Sequence, residues 1–268
     1  MNLTIFTLKR LVNLKLRGSV INAQELVSLP NLRTLRLMWV VFPGGDNAIS
    51  KIFRGCTSLV GLLFGDCLPE EIQVLDLSIT SLSRLTLIYS GVNKILIDSP
   101  NLEYLRIGTN DTYLYVLKNL ESLDRAKVYV ESMRSFSPII DGLYSVKFLD
   151  LTAQSFKVTI IKFKTPCHDM QSLCLWCETD KDDPCGIVSD LFEIKPFCLA
   201  QKSRKVEIVD FSGSELQFTV VDYLLQHGVL QELMNFRSSD SKESTQDWPL
   251  SRLRSLVTFP RCSKTWQD

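Results

Sequence analysis

The chain has 268 residues, 45% of them hydrophobic and 22% charged, a balance that supports a folded core and excludes general disorder. Thirty basic residues meet thirty acidic ones, so no global field recruits nucleic acid or an anionic membrane, and any electrostatic preference must be local. No stretch of about 18 apolar residues offers a membrane span, and the eight cysteines lack the density and spacing of a disulfide scaffold, which points to reduced thiols.

Residues 1–8 are apolar but have no basic start and no small-residue cleavage site, which leads to the expectation of a nuclear or cytoplasmic protein. From there a Leu-x-x-Leu-x-Leu pattern recurs along the chain. Its copies are Leu11, Leu14 and Leu16; Leu32, Leu35 and Leu37; Leu59, Leu62 and Phe64; Leu82, Leu85 and Leu87; Leu102, Leu105 and Ile107; Val146, Leu149 and Leu151; and Met170, Leu173 and Leu175. A degenerate copy with Ala126, Val128 and Val130 fills the one long interval. The pattern reads as a leucine-rich repeat, in which each unit makes one strand and a return segment, and only stacked units bury the apolar face. The predicted fold is an α/β solenoid with a curved, mainly parallel sheet, and a broad sheet face of this kind favours binding over catalysis.

The return segments are irregular. Asn22–Leu29 and Asp46–Phe53 are predicted short helices, with Asn22 and Asp46 as N-caps and Gly55 as a stop. The other returns are predicted loops. One exception is Ile72, Leu75 and Leu77, which form an extra strand pattern too close to Leu82 for a full repeat. That unit is therefore either compressed or carries a strand on its return side. Composition changes at the acidic loop 178–186, which places the repeat region at 1–178 and a C-terminal module at 179–268. Within the module Lys205–Phe211 alternates as a strand, and Leu216, Val220, Val221, Leu224 and Leu225 share a helical face that ends at Gly228. Val229–Phe236 reads as a closing strand or a continued helix, and 237–247 as a polar linker. Val220, Leu224 and Leu225 are expected to cap the last repeat.

Three stretches carry a family resemblance. Lys94-Ile95-Leu96-Ile97-Asp98-Ser99-Pro100-Asn101-Leu102-Glu103-Tyr104-Leu105 is similar to a repeat built on a small residue, Pro, Asn or Ser, and Leu. Lys205 to Glu215, continuing to Tyr223-Leu224-Leu225, resembles the strand and helix of an FBD module, and Ser255 to Ser263 resembles its terminal motif. In this order they resemble the plant F-box proteins that carry leucine-rich repeats and an FBD domain. The resemblance implies the substrate-recognition part of a Skp–cullin–F-box ubiquitin ligase, with the target on the repeats and the F-box on the adaptor. The sequence departs from that pattern in having no recognisable F-box. Leu68-Pro69-Glu70-Glu71-Ile72 has the look of an F-box opening, but Val74-Leu75-Asp76-Leu77 follows it with strand alternation. A Skp-type adaptor and cullin are thus expected as partners only if an F-box is supplied or cryptic. Starting inside the array also leaves Leu3, Ile5, Leu8 and Leu11 on an expected apolar edge, a route to self-association.

Side chains between the consensus leucines should face outward on the concave side. The candidate protein-binding face is Arg36, Arg84, Tyr104, Arg106, Lys127, Tyr129, Phe148 and Trp176. An acidic part of a protein target is expected over Arg36, Arg84 and Arg106, and an apolar anchor near Tyr129, Phe148 and Trp176, because Arg and aromatic residues are frequent hot spots. No catalytic residue, cofactor or metal site is expected, with a zinc or thiol enzyme as the remote alternative. Cys174-Leu175-Trp176-Cys177 has a zinc-like spacing, but in a strand the odd offset puts its sulfurs on opposite faces. Consecutive Cys167, His168 and Asp169 cannot converge as a triad, and His227 beside Gly228 reads as a helix-end residue. No phosphate-binding glycine loop occurs.

Overall fold

Apolar residues at two-residue spacing make each leucine copy a strand with one buried face. The computed structural model describes residues 6–21, 27–67, 72–88, 92–109, 114–130, 139, 142–153, 170–177, 205–209 and 233–237, with the backbone alone at 109, 130, 153, 176, 177 and 233–237. The first of two compact units is Met1–Ser145. In chain order it holds β1 (Asn13–Arg17), β2 (Thr34–Met38), α1 (Gly45–Gly55), β3 (Gly61–Gly65), β4 (Val74–Leu77), β5 (Arg84–Ile88), β6 (Lys94–Asp98), β7 (Tyr104–Thr109), β8 (Leu114–Lys118) and β9 (Arg125–Val130). The second, Val146–Asp268, holds β10 (Phe148–Ala153), β11 (Ser172–Cys177), β12 (Lys205–Val209) and β13 (Leu233–Arg237).

In the first unit the leucine strands pair in parallel in the order β1-β2-β3-β5-β7-β9. Register aligns equivalent leucines, as in the row Leu14, Leu35, Leu62, Leu85, Leu105 and Ala126. Leu35, Leu85 and Leu105 are fully buried, and each such side chain contributes roughly 1.5–3 kcal/mol by leaving water. Phe42 stacks on Phe64 with ring centroids 6.2 Å apart, filling the core beside α1. The architecture is an α/β leucine-rich-repeat solenoid.

A recurrent turn leads into each strand. Leu32, Leu59, Leu82, Leu102 and Leu123 each donate their N–H to the carbonyl three residues earlier, at 3.0 to 3.3 Å. The residue before the leucine ties the turn to the preceding repeat in several copies. Asn31 Nδ2 donates to the Lys9 carbonyl and Asn101 Nδ2 to the Thr80 carbonyl, both at 2.8 Å, and Ser81 Oγ donates to the Leu59 carbonyl at 2.8 Å. This fits the Pro-Asn-Leu and Thr-Ser-Leu wording of the sequence: a turn carbonyl of the preceding repeat is left open to a donor, and a short amide or hydroxyl supplies it. Main-chain bonds repeat in step as well. The Arg33 carbonyl accepts from both Val60 and Gly61, and the Val60 carbonyl from both Ser83 and Arg84.

The return side differs from expectation in two respects. First, β4, β6 and β8 form a three-stranded parallel sheet of their own, where loops were predicted for the last two. The strand option for Ile72–Leu77 is the one adopted, and Val74–Leu77 alternates exposed and buried as a repeat element rather than an F-box start. Buried Ser99 ties successive return segments together by donating to the Leu77 carbonyl at 3.0 Å. Second, α1 starts one residue earlier than the predicted 46–53 segment, with Gly44 at the N-cap and no side-chain capping bond. Asp46 lies inside the first turn. Its carboxylate instead accepts the N–H of Gln73 at 2.8 Å and of Val74 at 3.3 Å, tying the helix to β4. Ala48, Ile49, Ile52 and Phe53 are buried at helical spacing, and Gly55 ends the helix as predicted.

In the second unit β10-β11-β12-β13 run parallel in chain order. Lys205–Val209 is thus a strand, and Leu233–Arg237 settles the closing segment as a strand. The predicted helices at 22–29 (in its 22–26 part) and 216–225, the acidic loop, the 178/179 boundary, the linker beyond Arg237 and the 255–263 motif lie outside the described residues. So do Leu3, Ile5, Leu68–Glu71, Cys167, His168 and His227.

Candidate functional site

Parallel register converts the outward positions of the first unit into rows across the strands. One row reads Asn13, Thr34, Gly61, Arg84, Tyr104 and Arg125; the next, two residues along, reads Lys15, Arg36, Leu63, Thr86, Arg106 and Lys127. A third contains Arg17, Met38, Gly65, Ile88, Gly108 and Tyr129. Adjacent strands are about 4.8 Å apart and alternate residues about 6.6 Å, so the first two rows lie within one arginine side chain of each other.

A groove of about 780 Å³ lies over these rows. Thr34, Gly61 and Leu63 line its floor, and Arg36, Arg84 and Tyr104 stand around it. Glu103, Asp124 and Arg125 line its β7–β9 end. Arg36, Arg84 and Arg106 are exposed, and no ion pair engages any of them among the described residues. Three guanidinium groups without a carboxylate partner among the described residues make the Arg36, Arg84 and Arg106 part of this face locally positive, while Glu103 and Asp124 place carboxylates at the β7–β9 end of the groove. The arrangement suits an acidic ligand approached through planar, forked donors.

Of the candidate residues, Arg36, Arg84 and Tyr104 share the groove, and Arg106 stands beside Thr86 and Lys127 in the adjoining row. Lys127 is exposed, and Tyr129 is half-buried opposite Gly108, in the third row. Phe148 and Trp176 belong to the second unit. There Phe148 stands opposite Ser172, and Trp176 stands opposite Thr152 and Val209. By backbone register these two are at opposite ends of their strands, roughly 13 Å apart along the strand direction.

The sequence reading had missed Gly61 and Leu63, because neither carries charge or an aromatic ring. The available signal was a strand with glycine at both ends, Gly61 and Gly65. It had also missed a contact at the start of the array, where the Arg17 guanidinium lies 4.0 Å from the ring centroid of Trp39. Trp39 has φ 53° and is 45% exposed; Leu8, Val12 and Val20 are also exposed in these first repeats.

The thiols are placed for packing. Burial pushes the Cys56 thiol up to about 12 and the Cys67 thiol up to about 11, so both are protonated near neutrality and are poor nucleophiles. Cys174 and Cys177 both lie in β11, the strand geometry on which the argument against chelation rests. Among the described residues no group of three or more His, Cys, Asp or Glu could hold a metal ion, and no helix is long and apolar enough to cross a membrane.

Comparison with known proteins adds the family. The chain is 25% identical over 325 residues to an FBD-associated F-box protein of Arabidopsis thaliana, covering 99% of this chain and 67% of that protein. It is 31% identical over 312 residues to a protein described as F-box/FBD/LRR-repeat from the same plant, covering 98% of this chain and 66% of the relative. F-box/LRR-repeat protein 13 of that plant is 29% identical over 145 residues, 50% of this chain and 32% of the relative. The chain thus spans about two thirds of the length of the curated relatives that it matches nearly throughout. No family model matches, and no solved structure matches. Repeats in this register, together with similarity over almost the whole sequence, mean that the chain belongs to the plant F-box/FBD/LRR-repeat family.

Proposed function

We propose that this chain is a protein-recognition module whose sheet face in Met1–Ser145 holds an acidic segment of a target protein, and that it selects targets for a Skp–cullin–F-box ubiquitin ligase in the nucleus or cytoplasm. The observation that carries the recognition reading is the joining of Arg36, Arg84 and Tyr104 around one groove, with no ion pair engaging the arginines among the described residues. Arginine and tyrosine are over-represented among residues that dominate protein interfaces. The ligase role rests on the family and on its relatives being named as F-box proteins. The alternative is a recognition scaffold or competitor that binds the target without recruiting the ligase, favoured by the repeat alternation of Val74–Leu77 where an F-box-like opening would continue.

Affinity capture from plant extract, quantified by mass spectrometry, tests both parts. The native chain is compared with a version bearing a grafted F-box and with the triple variant Arg36→Glu, Arg84→Glu, Arg106→Glu. The shared partners should fall by about tenfold or more with the triple variant, as expected when charges at an interface centre are reversed. Unchanged recovery would refute the face. Adaptor and cullin recovered with the native chain support the ligase role; their recovery with the grafted version alone supports the scaffold reading.

A further inference from the structure

Two glycines of β3 face outward for different reasons. Gly65 is demanded by packing, since a Cβ there would lie 2.9 Å from Met38 Sδ and 3.2 Å from both Ile88 Cβ and the Ile88 carbonyl oxygen. Gly61 is not. Its φ is not among the positive ones, and a Cβ would meet only Thr34 Cγ2, at an ordinary 3.5 Å. Glycine weakens a strand interior by its entropy and its lack of a packing side chain, so at Gly61 the fold loses stability with no steric gain. What the missing side chain does provide is a gap. In the row Thr34, Gly61, Arg84 it leaves the groove floor open for two strand spacings, about 9.6 Å.

Resting on the recognition reading above, we infer that Gly61 is a specificity-determining residue: the gap over it admits the backbone of an extended acidic peptide from a partner protein. Glycine within a strand marks places where another backbone approaches closely. On one side of the gap is Arg84, next to Tyr104 in the row; diagonally across is Arg36, next to Leu63. Leu63 is half-exposed on the outer face and gives the groove an apolar floor between Arg36 and Thr86. The ligand that matches is a segment with a carboxylate beside an apolar side chain: the carboxylate meets Arg36 or Arg84, and the apolar group covers Leu63. Charge disfavours a second copy of this face as occupant, because Lys15, Arg36, Arg84 and Arg106 outnumber the Glu103 and Asp124 carboxylates of the groove and would be set largely against themselves.

The test is selection of a random twelve-residue displayed peptide library on the full chain, followed by anisotropy titration of the enriched peptides. Enrichment of Asp or Glu next to an apolar residue is expected. Affinity should drop by about tenfold or more in Arg84→Glu and in Gly61→Leu, with the latter's melting temperature not lowered. Leu63→Glu, an outward position, is the second variant should Gly61→Leu misfold, and should weaken the same peptides about as much. Peptides that lack acidic residues, or that bind Gly61→Leu and Leu63→Glu as tightly as the parent, overturn the inference; so does a library that yields no Arg84-dependent binder. If those peptides still lose binding in the triple arginine variant, the face reading survives while the Gly61 gap fails. If the triple variant also binds normally, both fail.

Discussion

Replacing Gly55 by alanine sets two effects against each other, and the structure decides which wins. Gly55 is the last residue of α1, where alanine's helix preference alone would stabilise by about 1 kcal/mol. A Cβ at this position, however, would lie 2.5 Å from the Val27 carbonyl oxygen, 2.7 Å from Val27 Cγ1 and 2.9 Å from the Val27 carbonyl carbon. These are contacts that a backbone segment cannot avoid by rotating a side chain. Val27 to Leu29 must move away, which breaks the 2.9 Å bond from the Leu29 N–H to the Gly55 carbonyl. Overpacking costs about 1–3 kcal/mol and the lost bond about 1 kcal/mol, so after the helix gain the net loss is roughly 1–3 kcal/mol. Urea unfolding of the full chain followed by circular dichroism measures it directly. A Gly55→Ala midpoint equal to or above the parent's would refute the claim that the α1 exit is fixed by contact with Val27.

Asp46→Ala should cost about 1–2 kcal/mol in the same assay, because it removes the acceptor for the Gln73 and Val74 N–H groups and an acidic group from the first helical turn; Asp46→Asn, which keeps an acceptor, should lose less, and equal losses would contradict the bridging role. The thiols make a pH prediction. Their folded pKa values of about 12 and about 11 lie above the ordinary 9.0, so the folded state holds the protons longer. Their contribution to stability is complete below pH 9 and is lost as pH rises toward 11 and 12. Cys56→Ala/Cys67→Ala should therefore show a flatter decline in stability above pH 9 than the parent, and identical slopes would refute the assignment.

The leucine strands were legible because each repeat states its own local rule: apolar at alternate positions, a turn residue, a buried leucine. Even the weak copy at Ala126 and Val128 follows it. The return strands were harder to see. Leu114–Lys118 buries Tyr115 but leaves Leu114 exposed and Val116 and Leu117 half-buried, so its leucines do not mark the buried face and the alternation is blurred. The helix start was misplaced because Asp46 has the chemistry of an N-cap, while the acceptor it provides is used by residues 27 and 28 positions away. The candidate arginines were readable singly, but their grouping was not. That β3 pairs with β5, passing over β4, is a long-range fact, and it is what sets Gly61 between Thr34 and Arg84.

The stepwise main-chain bonding between repeats has a consequence for how such proteins diversify. Carbonyls of Val12, Arg33, Val60, Ser83 and Glu103 each receive two N–H groups from the next repeat, although the side chains at those sites range from valine through serine to arginine and glutamate. Architecture is thus maintained by peptide groups and inward leucines, which leaves most outward residues, tightly packed Gly65 excepted, with little structural duty. The rows through Arg36, Arg84 and Arg106 can therefore change by point substitution while the scaffold's folding is left nearly untouched, so the chemistry of the outer face can diverge faster than the repeat beneath it.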